Sequence, residues 1–145
     1  MSESPLLRFY RGDGTDHAGR RLDEILVWPD THLEAVHDYI QWLFPLNAPS
    51  QFNPHAPTLI AADLAAFHQT GAYRDNFLRA FRRMLRFYGL DCDDEDPEDI
   101  YVEPSLVFEL RIKVWLSPGN HNYLRISRIL KSATMLWQCC GDRPW

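Results

Sequence analysis

Two groups of residues in this 145-residue sequence have the types and spacing to do chemistry. The first is Asn120-His121-Asn122, followed by Arg125 and Arg128. Two amides and an imidazole at a helix start present donors where free backbone N–H groups already attract negative charge. The same side chains can equally be consumed in capping and turn hydrogen bonds. His121 is also a candidate acid/base centre, because imidazole titrates near neutrality. The second group is Arg79, Arg82, Arg83 and Arg86, whose spacing gathers four guanidinium groups on one helix face. With Arg125, Arg128 and Lys131 they offer an anion surface for phosphate or carboxylate, or else a solvated face paired with neighbouring acids.

Other patterns begin and are not completed. Gly12-x-Gly14 opens like a dinucleotide loop, but position 17 is His, the next Gly is Gly19, and no βαβ alternation follows. His32-x-Glu34 resembles half of a zinc-deaminase motif without any P-C-x-x-C partner. His32 and His37 do not share a helix face and read as surface histidines. Asp91, Asp93 and Glu95 alternate as in a calcium loop, yet Asp96 stands where Gly is required and Val102 where Glu is required. No G-x-S-x-G elbow is present. Cys139-Cys140 could meet a soft metal, but their place near the chain end favours an inert pair. No metal or cofactor is expected.

These groups sit in a chain with 46% hydrophobic, 24% charged and 13% aromatic residues, which describes a single globular domain over 1–145. Charges interrupt every apolar run before it could span a bilayer. The start carries no basic segment followed by an apolar one, and three cysteines give no disulfide framework; both point to a cytoplasmic protein. The net charge of −5 speaks against nucleic acid until it is divided along the chain. Residues 91–103 hold eight acids and no base, so the remainder is +3. The mean charge conceals an acidic loop between two Arg-rich elements.

The positioning elements are mostly helical. Leu22, Ile25 and Leu26 share a face in a short helix over Arg20–Trp28. Thr31-His32-Leu33-Glu34 reads as a capping box opening a helix through Leu33, Val36, Ile40 and Leu43, ended by Pro45. Four prolines between Pro45 and Pro57 make an irregular connection. Thr58 can cap a helix through Leu59, Ala62, Ala66 and Phe67. Ala72–Tyr88 is strongly amphipathic, with Tyr73, Phe77, Phe81, Met84, Leu85 and Tyr88 opposite the arginines, and Gly89 supplies its C-terminal stop. Leu106–Leu116 alternates like a strand, while Pro104 suits a helix start. Asn120 or Asn122 caps a last helix that buries Tyr123, Ile126, Leu130, Ala133 and Trp137.

Tyr39–Leu46 (YIQWLFPL) and Asn120–Ser132 (NHNYLRISRILKS) resemble the two signature segments of the opioid growth factor receptor conserved domain. Leu7–Gly12 (LRFYRG) and Met84–Leu90 (MLRFYGL) support the likeness in the same order, with 91–103 as the variable acidic loop. The chain resembles a short, bacterial-type member without the long repeat-bearing extension of the vertebrate proteins. The resemblance implies an all-α fold of about five to six helices with long irregular connections, which tips Leu106–Leu116 towards helix. It implies, for the vertebrate protein, binding of the enkephalin pentapeptide and negative regulation of growth, and it supplies no catalytic residues. The expectation is therefore a non-enzymatic domain with a peptide or small anionic ligand. Its site residues are Tyr39, Gln41 and Trp42 as aromatic wall and amide, with Asn120, His121, Asn122, Arg125 and Arg128 as donors. Tyr39 and Trp42 can equally be core anchors. The alternatives are a nucleic-acid or phosphate-binding accessory protein using the Arg-rich helices, and an enzyme centred on His121.

Overall fold

A computed structural model describes residues 4–50, 53–93 and 101–137. These contain eight helices and one two-stranded sheet, so the fold is mostly helical rather than all-α, with more helices than the five to six expected. The extra helices are short ones. Helix α1 (Pro5–Arg11) begins with the Leu7 N–H bonded to Ser4 Oγ and with Pro5 in the first turn, and it stops at left-handed Gly12. Gly14 follows where any Cβ would strike Arg8. The Gly12-x-Gly14 pattern is thus a helix stop and a close packing contact.

Helix α2 (Leu22–Leu26) is the core of the expected Arg20–Trp28 segment. The long helix expected to run from Thr31 to Leu43 is instead two. Helix α3 (Asp30–Ala35) starts one residue before Thr31, without a side-chain cap, so the predicted capping box does not form. Asp30 accepts a 2.8 Å hydrogen bond from Arg83 Nη2, which draws the helix start to it. Val36 then turns extended, and helix α4 spans only Ile40–Leu43. Helix α5 (Ala61–Gln69) is capped by Asp63, which reaches back to the Ile60 N–H and also accepts from Ser4 Oγ. Thr58 is not that cap; it pairs with Leu46 in an isolated bridge.

Helix α6 (Gly71–Tyr88) is the organising element, packed on α1, α2 and α5. Tyr73, Phe77, Met84, Leu85 and Tyr88 are buried as the periodicity requires, and Phe81 packs against the core from its edge. Gly89, at φ +87°, ends it as expected. The ends of the acidic segment then pair as an antiparallel ladder, β1 (Leu90–Asp93) on β2 (Tyr101–Pro104), with Cys92 opposite Val102. Residues 94–100 and the Cys139-Cys140 pair lie outside the described residues.

Helix α7 (Phe108–Trp115) settles Leu106–Leu116 as helix. It runs so close to Gly89 that a Cβ there would stand 2.9 Å from Phe108 Cα. Its side chains close the end of α6: Arg111 Nε donates to Phe87 O and Trp115 Nε1 to Tyr88 O.

Helix α8 (Asn122–Trp137) departs most from expectation. The buried stripe is Asn122, Arg125, Ile129, Ser132 and Leu136, one step round from the predicted Tyr123-Ile126-Leu130-Ala133-Trp137. Tyr123 and Leu130 are exposed, and Ile126, Ala133 and Trp137 are half-buried. The reason lies in α3 and α4, which are too short to satisfy their own carbonyl groups. Arg125 donates to Leu33 O (2.9 Å) and Val36 O (2.8 Å), Arg128 Nε to Phe44 O (2.8 Å), and Ser132 Oγ to Pro45 O (2.8 Å). Tyr39 Oη adds a second bond to Leu33 O, and Tyr10 Oη donates to Leu43 O. A buried carbonyl without a donor costs about 1–3 kcal/mol, comparable with what burying Tyr123 or Leu130 would return.

Arg125→Met keeps the side chain's apolar bulk and removes the donors to Leu33 O and Val36 O. We expect a loss of about 3 kcal/mol in urea unfolding. Lys131→Met, on the outer face of the same helix, should change stability by no more than about 0.5 kcal/mol.

Candidate functional site

The two aromatic-rich segments meet. Residues 37–50, around α4, form one wall of an open cleft of about 450 Å³, and α8 forms the other. Ile40, Leu46, Pro49 and Leu124 give it apolar surface, while Gln41, Ser50 and Ser127 give neutral polar groups. His37, His121, Arg125, Arg128 and Lys131 complete the lining, and no Asp or Glu stands among these lining residues. The cleft is therefore cationic on its polar side.

Its floor is rigid. Arg125, 5% exposed, lies over the Tyr39 ring and is held by the carbonyls it serves. Gln41 is buried and accepts from Asn53 Nδ2 at 3.2 Å. Arg128 spends Nε on Phe44 O, while its Nη2 is buried and meets no acceptor among the described residues. Burial without an opposing charge lowers this guanidinium to about 10, still protonated at neutral pH. A desolvated cation with an unused donor is a group poised for an anion.

The rim holds two histidines. His37 Nδ1 is 3.2 Å from Arg125 Nη2 and must be the acceptor, because guanidinium only donates. Burial, then the positive charges of Arg125 and His121, lower the His37 pKa from the usual 6.5; Glu34 and Asp38 oppose this. His121 Nε2 contacts Glu34 Oε1 at 2.8 Å, and its ring meets that of His37 at 5.0 Å. The same carboxylate accepts from Asn122 Nδ2.

The expected site residues divide. Gln41, His121, Arg125 and Arg128 converge on the cleft. Tyr39 and Trp42 do not form its aromatic wall: both are core residues, Tyr39 bonded to Leu33 O and Trp42 Nε1 donating to His17 Nδ1. Burial drives the Tyr39 phenol up to about 12. Asn122 is fully buried between Tyr88 Oη and Glu34. Asn120 is spent on the turn, accepting from the Asn122 N–H and donating to Val114 O and Ser117 Oγ. His37, Ser50 and Lys131 belong to the cleft and were not assigned to it from sequence. His37 reads there as a surface histidine, and no local pattern links it to α8. Lys131 had a visible signal, standing in the 125, 128, 131 row of cations.

The α6 arginines line a second open hollow, of about 560 Å³, with Leu26, Val27, Asp91 and Cys92. They are not a uniform anion surface. Arg83 is buried, with Nη2 donating to Trp28 O and Asp30, and Arg79 pairs with Asp23 at 3.0 Å. Arg82 and Arg86 keep exposed side chains, and Asp91 stands beside them. The balance of sign there is mixed, whereas in the α4–α8 cleft it is not.

Residues 3–139 match the opioid growth factor receptor (OGFr) conserved region. The opioid growth factor receptor of Mus musculus is 38% identical over 117 residues, covering 79% of this chain and 18% of that protein. That of Homo sapiens is 35% identical over 134 residues, covering 90% and 19%. The opioid growth factor receptor-like protein 1 of Xenopus tropicalis is 35% identical over 117 residues, covering 79% and 22%. The chain thus spans about a fifth of the length of these relatives. No solved structure matches it.

The unused charge at the cleft floor predicts stabilisation by a simple polyanion. Citrate at ten times its Kd should add about 1.4 kcal/mol, or roughly 4 °C in Tm, beyond sodium chloride of equal ionic strength. Thermal unfolding of wild type and Lys131→Glu checks this, and an equal rise in both would remove the cleft as the binding place.

Proposed function

The chain belongs to the opioid growth factor receptor conserved-region family, and from that premise we propose that it is a non-catalytic binding domain. Its ligand is a short peptide whose carboxylate enters the α4–α8 cleft. The observation that carries this reading is Arg128: a desolvated guanidinium whose Nη2 meets no acceptor among the described residues, in a concave surface whose charged lining is entirely basic. Ile40, Leu46, Pro49 and Leu124 give apolar side chains of a peptide somewhere to rest beside the captured carboxylate. The relatives' own name describes receptors for an opioid growth factor, and an enkephalin-type pentapeptide, with a free C-terminus and apolar side chains, has the chemistry this surface accepts.

Titration calorimetry with the enkephalin pentapeptide tests the reading directly. The free acid should bind at least about tenfold more tightly than the C-terminal amide, since a charge-assisted hydrogen bond contributes about 1.5–3 kcal/mol. Equal affinity for acid and amide would discard the carboxylate, and no heat from folded protein with either form would discard the peptide.

Binding should also take up a proton. An anion in the cleft offsets the positive neighbours that hold His37 low, so its pKa rises in the complex. The bound form then carries more protons than the free form, and affinity rises as pH falls. Between pH 7.5 and pH 6 we expect a gain of about three- to tenfold. The gain should disappear in His37→Gln.

A further inference from the structure

Helix α8 turns its polar stripe inward and leaves large apolar side chains outside: Tyr123 is 40% exposed, Leu124 63% and Leu130 59%. At 100° per residue the outward arc runs Leu130, Tyr123, Ser127, Lys131, Leu124, Arg128. The apolar ridge of Tyr123 and Leu130 is therefore separated from the cationic cleft by the small Ser127 and by Thr134. Along α8 there are three basic residues, Arg125, Arg128 and Lys131, and no Asp or Glu at all. An exposed apolar ridge flanked by one sign of charge marks an interaction surface.

We propose that this outward face of α8 docks an acidic, aliphatic segment of a partner protein. The segment's carboxylates lie in the cleft and its apolar side chains cross Ser127 onto Tyr123 and Leu130. The proposal rests on the reading of the cleft as an anion site and extends the ligand from a short peptide to a stretch of protein chain. Charge complementarity sets the acidic character, and the exposed leucines set the aliphatic character. Tyr123 and Leu130 are about 10 Å apart along the helix, the span of about three extended residues, so a short extended segment that carries both acidic and aliphatic side chains reaches both the ridge and the cleft. The concavity beside the ridge favours a chain over a bilayer, against which a basic amphipathic helix lies flat.

Fluorescence anisotropy with labelled twelve-residue peptides tests this on the full chain. One probe alternates Glu and Leu, and a control alternates Glu and Ser. Wild type should bind the Glu/Leu probe at least tenfold more tightly than the control. Leu130→Gln, a neutral change at an exposed position, should remove that advantage while leaving control binding unchanged. Lys131→Glu should weaken both, and circular dichroism confirms that each variant is folded. If Leu130→Gln leaves Glu/Leu affinity unchanged, the ridge proposal is overturned while the cleft reading stands. If Lys131→Glu leaves control binding unchanged, the cleft reading fails, and the docking proposal with it. Binding to phosphatidylserine vesicles without binding to either peptide would make the face a membrane surface and overturn the protein partner.

Discussion

The structure depends on one constraint: the backbone carbonyl groups of residues 33–45 have to find donors that their own helices cannot provide. Helix α3 ends at Ala35, Val36 is extended, α4 is a single turn, and Pro45 ends it. Carbonyls at Leu33, Val36, Leu43, Phe44 and Pro45 are taken up by Arg125, Tyr39, Tyr10, Arg128 and Ser132. Three of these five donors stand on α8. That helix is therefore held less by its oily face than by the groups it brings to a segment of broken backbone, and its rotation about its axis follows.

The cleft is a by-product of the same arrangement. To serve carbonyl oxygens, which bring no formal charge, α8 carries full positive charges into partly dry surroundings. A guanidinium suits the role because its planar fork reaches several acceptors at once and is more weakly hydrated than an ammonium. Arg125 is satisfied in this way, while Arg128 donates from Nε and its buried Nη2 meets no acceptor among the described residues. The charge that neutral carbonyls leave uncompensated appears at the cleft, and Glu34, the carboxylate beside His121, is already engaged by His121 and Asn122. The arginines of α6 meet a different fate because acids lie nearby, at Asp23 and Asp30. Arg spacing that looks alike in the two helices thus ends as structural ion pairing in one and as the basic lining of a cleft in the other.

Local signals were reliable wherever one stretch of chain settles its own state. The amphipathic α6 and its glycine stop are of this kind, since eighteen residues repeat one pattern and only Gly takes the left-handed stop cheaply. The prolines of 45–57 correctly mark irregular chain in the described residues 45–50 and 53–57. The Ser4-Pro5 start of α1 was also present in the sequence as a cap and first-turn pair, although the segment was short enough to pass as an entry strand or loop. Thr31 misled because a capping box is a local preference, and the bond between Arg83 and Asp30, contributed by a distant helix, sets the helix start instead.

The sequence by itself determined a mostly helical domain, the uneven charge beneath a net of −5, and the two segments that build the candidate site. Tertiary structure alone decided which of their side chains line the cleft. Tyr39, Trp42 and Asn122 have the chemistry of a binding site and lie in the core, while His37 and Lys131 come to the cleft. Which face of α8 turns inward was likewise a tertiary decision. Hydrophobic periodicity weighs apolar side chains alone, and here the inward face was set by orphaned carbonyl groups on residues distant in sequence. No pattern within α8 announces partners that another segment creates by breaking its own helix.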